Sequence, residues 1–188
     1  LPNFISWVLV YSFAYALFNT NNGFLNQLLI RLGVMDRPIN FLADPSHTWL
    51  KMCAWNVWKT LGWSSIMYLA AISGIDQTLY EAAKIDGAGR FQIMWHITVP
   101  GILETYFVLL LLSIANFISN GMEQYFVFQN AMNRNKIEVL DLYVYNIGLG
   151  GGSFSYATAV SILKSVVSLT LLFVANNLSR LVRGNTIL

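Results

Sequence analysis

A lysine and two tryptophans stand together inside a long apolar run of the chain. Trp55, Trp58 and Lys59 are spaced i, i+3 and i+4, so a helix would place them on one face. Indole rings can stack on the C–H faces of sugar rings, and a neighbouring ammonium can donate hydrogen bonds to sugar hydroxyls. The cluster therefore indicates either a carbohydrate-contacting surface or an aromatic belt at a membrane interface, with a lysine that snorkels to water.

Polar side chains recur near the end of a later apolar run. A helix continuous through this region would align four of them in one stripe, at i, i+4, i+7 and i+8: Asn116, Asn120, Glu123 and Gln124. The stripe could line a solute path, cap the helix end or bond to other spans. Lys164 lies in a further apolar run and is also a candidate pathway residue, because a charge inside a span is costly and usually faces a cavity or a partner.

Other kinds of chemistry lack the residue spacing they need. The glycine cluster from Gly148 reads GLGGGS, which is no nucleotide-binding fingerprint, and it is predicted to be an external loop. His47 and His96 are expected on opposite membrane faces, and Cys53 is the single cysteine, so neither a metal site nor a disulfide is expected. No nucleophile, base and orienting group recur at motif spacing. We therefore expect no catalytic residue and no metal site in this chain.

The composition places these residues in a membrane. Of 188 residues, 56% are hydrophobic and 11% are charged, whereas soluble domains carry about 25% charged residues. The mean hydropathy is +0.54. The formal net charge is only +2 and the sequence has no basic runs, so it lacks the positive patch that nucleic-acid binding needs. These values nearly exclude a soluble enzyme and indicate a chain embedded in the lipid bilayer.

Four apolar segments approach the roughly 20 residues that a membrane-spanning helix needs. They run over about 4–18, 49–75, 102–117 and 156–178. A short amphipathic helix is predicted in the first connection, from Phe24 to Leu32, ending at Gly33. The pattern predicts an all-α polytopic membrane protein with about four spans in this chain. Lysines and arginines are nearly balanced between the two sides, so they do not orient it.

The most informative connection reads EAAKIDGAGRFQIMWHITVP over 81–100. Thr78 and Glu81 have capping-box spacing, with Asp76 as an alternative N-cap. Gly87 suits the left-handed position that ends a helix, and Pro100 suits the first turn of the next span. The pattern predicts a short helix, a sharp break and a second short helix. By itself this describes either an element that docks into a groove or a plain amphipathic interfacial loop.

The same segment resembles the EAA motif of permeases of ATP-binding cassette (ABC) importers. Glu81-Ala82-Ala83, three residues, Gly87, nine residues and then Ile97-Thr98-Val99-Pro100 agree with that motif except at Val99, where leucine is usual. LPNFISW at the start and YATAVSILKSVVSL near the end also resemble carbohydrate permeases, most of all the LplB-like polysaccharide group. The resemblance covers essentially the whole chain.

The resemblance implies a type I ABC importer transmembrane-domain fold over 1–188, as the C-terminal part of a six-span subunit whose first spans precede Leu1. It implies that residues 76–100 form a cytoplasmic coupling-helix loop that docks onto an ATPase. The positions carried over by the motif and its neighbours are Glu81, Ala82, Ala83, Asp86, Gly87, Ala88, Arg90 and Pro100.

The implied partners are a second permease, which we expect to be paralogous, two ATPases that bind ATP and Mg²⁺, and an extracytoplasmic solute-binding protein. The implied location is the prokaryotic cytoplasmic membrane, with the C-terminus also cytoplasmic and no cofactor in this chain. An alternative from another class is a secondary transporter or channel that uses Lys59, Glu123 and Lys164 as an ion path.

Overall fold

The computed structural model describes residues 2–119 and 121–183, and every regular element in them is helical. A 3-10 turn, Pro2–Phe4, precedes the helices. The helices are α1 (Trp7–Phe18), α2 (Phe24–Arg31), α3 (Thr48–Ser73), α4 (Gln77–Ile85), α5 (Arg90–Ala115), α6 (Met122–Phe128), α7 (Arg134–Ile137), α8 (Leu140–Tyr145) and α9 (Phe154–Arg183). The four apolar segments all fold as helices, which agrees with the predicted all-α class.

Length and apolarity coincide in two of these helices. Within the described residues, Arg90–Ala115 and Phe154–Asn177 are long and apolar enough to cross a membrane. Thr48–Ser73 has 26 residues, enough to cross, but carries lysines and other polar side chains. Trp7–Phe18 is apolar but has only 12 residues. Two of the four predicted spans therefore meet both criteria.

The chain groups into two compact units. The first comprises Leu1–Thr60 and Ser119–Ser161, and the second comprises Leu61–Ile118 and Ile162–Leu188. The core of the first unit is a cluster of buried apolar side chains to which four helices contribute, namely Val10, Ala14, Met52, Phe128 and Ile137. In the second unit few described apolar side chains of α5 and α9 are buried, as expected for surfaces that face lipid or other helices.

The amphipathic helix of the first connection forms as predicted. It runs over Phe24–Arg31, and Gly33 takes a positive φ of 69° just beyond it. The structure adds that Asn26 on this helix is fully buried, with 1% of its surface exposed. Its Nδ2 donates to the carbonyls of Phe18, Asn19 and Ile39, and its Oδ1 accepts from the Ile39 N–H. One side chain thus ties α2 to the end of α1 and to the loop that follows.

The glycine cluster at Gly148 is a loop only in part, because α8 continues into a π-helical turn, Asn146–Gly150, and its external position stays a prediction. Gly148 is buried there, and a β-carbon on it would lie 3.0 Å from Cβ of Ala157. Small residues at this point let the turn lie close to the start of α9.

Pro100 does not begin a new helix. A short α-helical turn, Arg90–Ile93, passes through a π-turn, Met94–Thr98, into Val99–Ala115 without a break. Proline lacks the N–H that an α-helix needs and crowds the preceding turn. The wider π-turn, in which the Val99 N–H donates to Met94 O, lets the helix continue past it. The predicted start of the span after Pro100 is therefore wrong.

Candidate coupling hairpin and solute-contacting surface

Residues 76–101, here called the EAA hairpin, begin with a capped helix. The Asp76 carboxylate accepts from the Thr78 N–H at 2.9 Å and caps α4, so the alternative cap is used and Thr78 with Glu81 does not form a capping box. The Thr78 backbone N–H, followed by its side chain, lowers the pKa of Asp76 below its usual value. Behind this cap, Ala82 and Ala83 supply strong helix propensity without bulk.

Gly87 ends α4 in the manner the sequence predicts. Its φ is +78°, which only glycine adopts without strain. The Ala88 N–H donates to Ala83 O at 2.9 Å, and the Gly87 N–H donates to Lys84 O at 3.1 Å. This pair of bonds is a Schellman motif, which satisfies the last carbonyls of the helix and turns the chain sharply.

The return arm of the hairpin starts two residues later. The Gly89 N–H donates to Oε1 of Gln92 at 2.8 Å, which caps the start of α5. His96 Nδ1 lies 2.9 Å from the Gln92 carbonyl in the next turn. Both bonds join residues of the return arm that are at most four positions apart. This arm is therefore held by local bonds, as α4 is.

The hairpin brings half of the predicted coupling residues to one groove. A cavity of about 330 Å³ is lined on one side by Ala83, Asp86, Gly87 and Ala88, and on the other by residues of α5 that include Gln92 and His96. Glu81, Ala82, Arg90 and Pro100 are exposed on the hairpin and do not line it.

Two apolar side chains stand out from this hairpin and were missed in the sequence. Ile85 is 86% exposed and Phe91 is 78% exposed, on either side of the Gly87 turn. A fully buried side chain of this size contributes about 1.5–3 kcal/mol relative to an exposed one. The signal was available, because Ile85 lies between Lys84 and Asp86, and Phe91 follows Arg90 directly.

The predicted tryptophan pair is part of an aromatic cluster in the first unit. Trp55 and Trp58 meet edge to face with ring centroids 5.7 Å apart. Phe13 stacks on Trp58 at 5.9 Å, and Trp55 also contacts Phe18 and Phe128. Trp55 therefore packs against the core of this unit, whereas Trp58 remains 41% exposed. Their contact with solute stays a prediction.

Lys59 is buried, with 8% of its surface exposed, and its ammonium is fully engaged. Nζ donates to three backbone carbonyls, those of Pro2 (3.3 Å), Asn3 (2.7 Å) and Ile5 (2.6 Å). The Trp7 ring lies beside it, with its centroid 5.4 Å from Nζ. Because an ammonium has three protons, this geometry favours a structural role and weakens the alternative of an ion path through Lys59.

The polar stripe predicted on one helix is interrupted. The helix α5 ends at Ala115, Gly121 takes a φ of +72°, and α6 begins at Met122, so the assumption of a continuous helix is wrong. Asn120 lies outside the described residues. Glu123 is exposed on α6, whereas Gln124 is buried and donates from Nε2 to Met52 O at 2.8 Å.

Asn116 lines a groove of about 580 Å³ in the second unit, between α3 and α5. The groove combines aromatic rings with hydroxyl groups, contributed by Trp63, Ser64, Tyr68, Tyr106 and Ser113. These residues were not predicted from the sequence, although Ser64 and Tyr68 are four positions apart on α3, and Tyr106 and Ser113 are seven apart on α5. Lys164 is partly buried on α9, and its pathway role stays a prediction.

Metal chemistry has no obvious place in the part of the chain that the structure describes. No three histidine, cysteine, aspartate or glutamate side chains come together there in a way that could hold an ion. What the described residues do offer is a hairpin with exposed apolar side chains and a groove lined by aromatic rings and hydroxyl groups.

Almost the whole chain matches a known protein family. Residues 1–184 match the family described as binding-protein-dependent transport system inner membrane component. The chain is 43% identical over 180 residues to the polygalacturonan/rhamnogalacturonan transport system permease protein YteP of Bacillus subtilis (strain 168), and 41% identical over 180 residues to protein LplB of the same organism. Each match covers 96% of this chain and 56% of the relative.

A solved structure matches as well, the bacterial alginate ABC transporter in complex with an alginate pentasaccharide-bound periplasmic protein. The TM-score is 0.91 at 34% identity, over 100% of this chain and 64% of the matched chain. The chain thus spans just over half the length of the curated relatives and shares the transmembrane-domain fold of an ABC importer.

Proposed function

The chain belongs to the family of binding-protein-dependent transport system inner membrane components, and from that premise we propose that it is a permease subunit that moves oligosaccharide or polysaccharide through an ATP-driven importer. The observation that carries the proposal is the EAA hairpin, a capped short helix closed by a Schellman turn at Gly87. Such a hairpin can be displaced as a unit, because its backbone bonds are satisfied locally.

The hairpin is proposed to dock onto a cytoplasmic ATPase. Ile85 and Phe91 would enter apolar pockets of that partner, since their exposure in the isolated chain leaves apolar area for an interface to bury. Glu81, Asp86 and Arg90 would form the polar rim. ATP and Mg²⁺ would be held by the ATPase. This docking would also orient the chain, with the hairpin and the C-terminus in the cytoplasm.

The groove between α3 and α5 is proposed to contact the carbohydrate. Its aromatic rings suit the C–H faces of sugars, and Ser64, Ser113 and Asn116 offer partners for hydroxyl groups. The names of YteP and of the alginate transporter point to polysaccharide cargo, and for alginate to an acidic one. Acidic oligosaccharides are therefore the first cargo to test.

The remaining partners follow from the same importer architecture. A second permease, paralogous to this one, would complete the pathway, and two ATPases would drive it. A solute-binding protein outside the membrane would deliver the sugar; the matched alginate transporter is in complex with an alginate pentasaccharide-bound periplasmic protein, which supports this. The assembly would lie in the cytoplasmic membrane of a prokaryote and work by alternating access, with ATPase closure moving the hairpin and the helices it joins.

The test replaces Gly87 in the full-length subunit, assembled with its partners in vesicles. A β-carbon at Gly87 would meet nothing within 4 Å, so Gly87→Ala acts through backbone strain of about 1–2 kcal/mol. We expect sugar transported per ATP hydrolysed to fall in Gly87→Ala and in Glu81→Ala. Gly33→Ala is the matched control, because its φ is +69° and its surroundings are also open. Unchanged coupling in both hairpin variants would contradict the proposal.

A further inference from the structure

The neck of the EAA hairpin is closed by one polar and one apolar contact. The hydroxyl of Tyr80 on α4 shares a hydrogen bond with Oγ1 of Thr98 on the return arm, at 3.1 Å. Below it, the Ile75 side chain fills the space beside Gly101, where a β-carbon would lie 2.6 Å from Ile75 Cδ1. The two arms therefore meet at the level where the hairpin joins the long helices.

The Tyr80–Thr98 bond differs in kind from the other side-chain bonds of the hairpin. Within described residues 76–101, the others join groups at most four positions apart, whereas this one spans 18 positions. It is thus the one side-chain hydrogen bond there that connects the two arms. Both side chains are partly buried, which shields the bond from competing water.

The backbone at Thr98 is specialised for this contact. Thr98 is the last residue of the π-turn Met94–Thr98, and Pro100 follows two residues later. A π-turn rotates the residues on either side of it relative to a regular α-helix, and such turns are frequent at functional sites. The turn therefore sets the direction in which the Thr98 hydroxyl leaves α5.

We propose that Tyr80 and Thr98 are positioning residues that latch α4 to the return arm at the start of α5, so that a displacement of the hairpin is transmitted to the span. Without the latch, the arms could open at the neck and the displacement would be absorbed there. The inference rests on the proposed function, because it concerns how the same hairpin transmits motion. It adds a coupling element outside the surface that faces the ATPase.

The test uses Tyr80→Phe, Thr98→Val and the double variant in the full-length subunit, assembled with its permease, ATPases and binding protein in vesicles. Both substitutions remove a hydroxyl and keep the shape. Sugar transported per ATP hydrolysed is expected to fall about two- to tenfold in each single variant, the range that loss of one neutral hydrogen bond produces. In the double variant the ratio is expected to fall no further than in the more affected single variant, because either substitution alone already removes the bond.

Two controls separate the latch from a general loss of structure. Thr98→Ser keeps the hydroxyl and is expected to retain wild-type coupling, while Tyr15→Phe removes a tyrosine hydroxyl from α1 and is expected to change nothing. Coupling is measured on assembled complexes, so a folding defect lowers yield and not the ratio. Any one of three results would overturn the latch. The ratios are unchanged in the single variants, the double variant shows the product of the two single losses, or Thr98→Ser loses as much as Thr98→Val. Absence of binding-protein-stimulated hydrolysis in the wild-type complex would instead overturn the proposed function.

Discussion

The first unit and the EAA hairpin both consist of short helices and turns, yet they are held in different ways. The first unit buries polar side chains that donate to backbone carbonyls, namely Asn26, Thr48, Lys59, Gln124 and Asn133. No described residue between 76 and 101 is buried. Helix caps, one Schellman turn and one hydrogen bond between the arms hold that segment instead.

The difference separates two mechanical tasks. A buried amide or ammonium that lost its carbonyl partners would leave unsatisfied groups, so the loops of the first unit have few alternative arrangements. The hairpin has no such penalty for moving as a body, because its bonds lie within it. Substitutions in the first unit should therefore change stability more than coupling, and substitutions in the hairpin should do the reverse.

The largest loss of stability is expected from Lys59→Met. The variant keeps the length of the side chain but leaves the carbonyls of Asn3 and Ile5 without their ammonium donor. We expect a destabilisation of about 3 kcal/mol, since hydrogen bonds to charged groups are the strong ones. The thermal midpoint of the purified complex measures it. Lys51→Met is the matched control on α3, where the lysine pairs with Asp44 near the surface and should cost under about 1 kcal/mol.

The same variant addresses the pathway prediction for Lys59. A structural role predicts a lower thermal midpoint with an unchanged KM for sugar. If KM rises strongly while the midpoint stays at the wild-type value, Lys59 contacts the solute. Substitutions in the first unit would then not act mainly on stability, which contradicts the proposed difference between the two regions.

A smaller loss is expected from Asn26→Ala, because its four hydrogen bonds are all between neutral groups. We expect about 2 kcal/mol, mainly from the carbonyls and the N–H left without a partner. Limited proteolysis of the loop between α2 and α3 should accelerate together with a fall in the thermal midpoint. Asn22→Ala, at an exposed position of the same region, serves as the control, and equal effects of the two variants would refute the role of Asn26.

The smallest effect is expected from Asp76→Asn, which tests whether local bonds hold the hairpin. Its pKa is lowered by the Thr78 N–H, so the charged carboxylate stabilises α4 at neutral pH, and this contribution disappears as the pH falls below about 4. Asn caps helices nearly as well as Asp and does not titrate. Hydrogen exchange of the 76–85 segment, corrected for intrinsic rates, should lose protection on acidification in the wild type and keep it in Asp76→Asn. Parallel pH profiles would show that another group controls this helix.

Much of the fold could be predicted because local rules dominate it. Apolar runs located the long helices, and Gly33 and Gly87 marked helix ends that both take positive φ. The long, fixed spacing of the EAA segment predicted the hairpin, whose coupling role stays a proposal. Each of these signals lies within a few residues of the structure it determines.

The misses depend on residues distant in the sequence or on competing local rules. Lys59 meets carbonyls more than 50 positions away, and Asn26 looked like an ordinary polar residue of an amphipathic helix. The charge-free stretch after Asn116 favoured one continuous helix, but α5 ends at Ala115 and Gly121 takes a left-handed conformation just before α6. Proline favoured a helix start at Pro100, and the π-turn before it removed that constraint.

That π-turn has a consequence for how the segment can change in length. A π-turn accommodates one residue more than an α-turn, and one residue corresponds to a rotation of about 100° around a helix axis. Deleting one residue of the π-turn Met94–Thr98 would force Pro100 into a regular α-turn, where it fits poorly, and would rotate α4, with Tyr80, away from Thr98. The segment should therefore accept many substitutions at its exposed positions while rejecting single insertions and deletions, so the spacing of the motif is a requirement of its geometry.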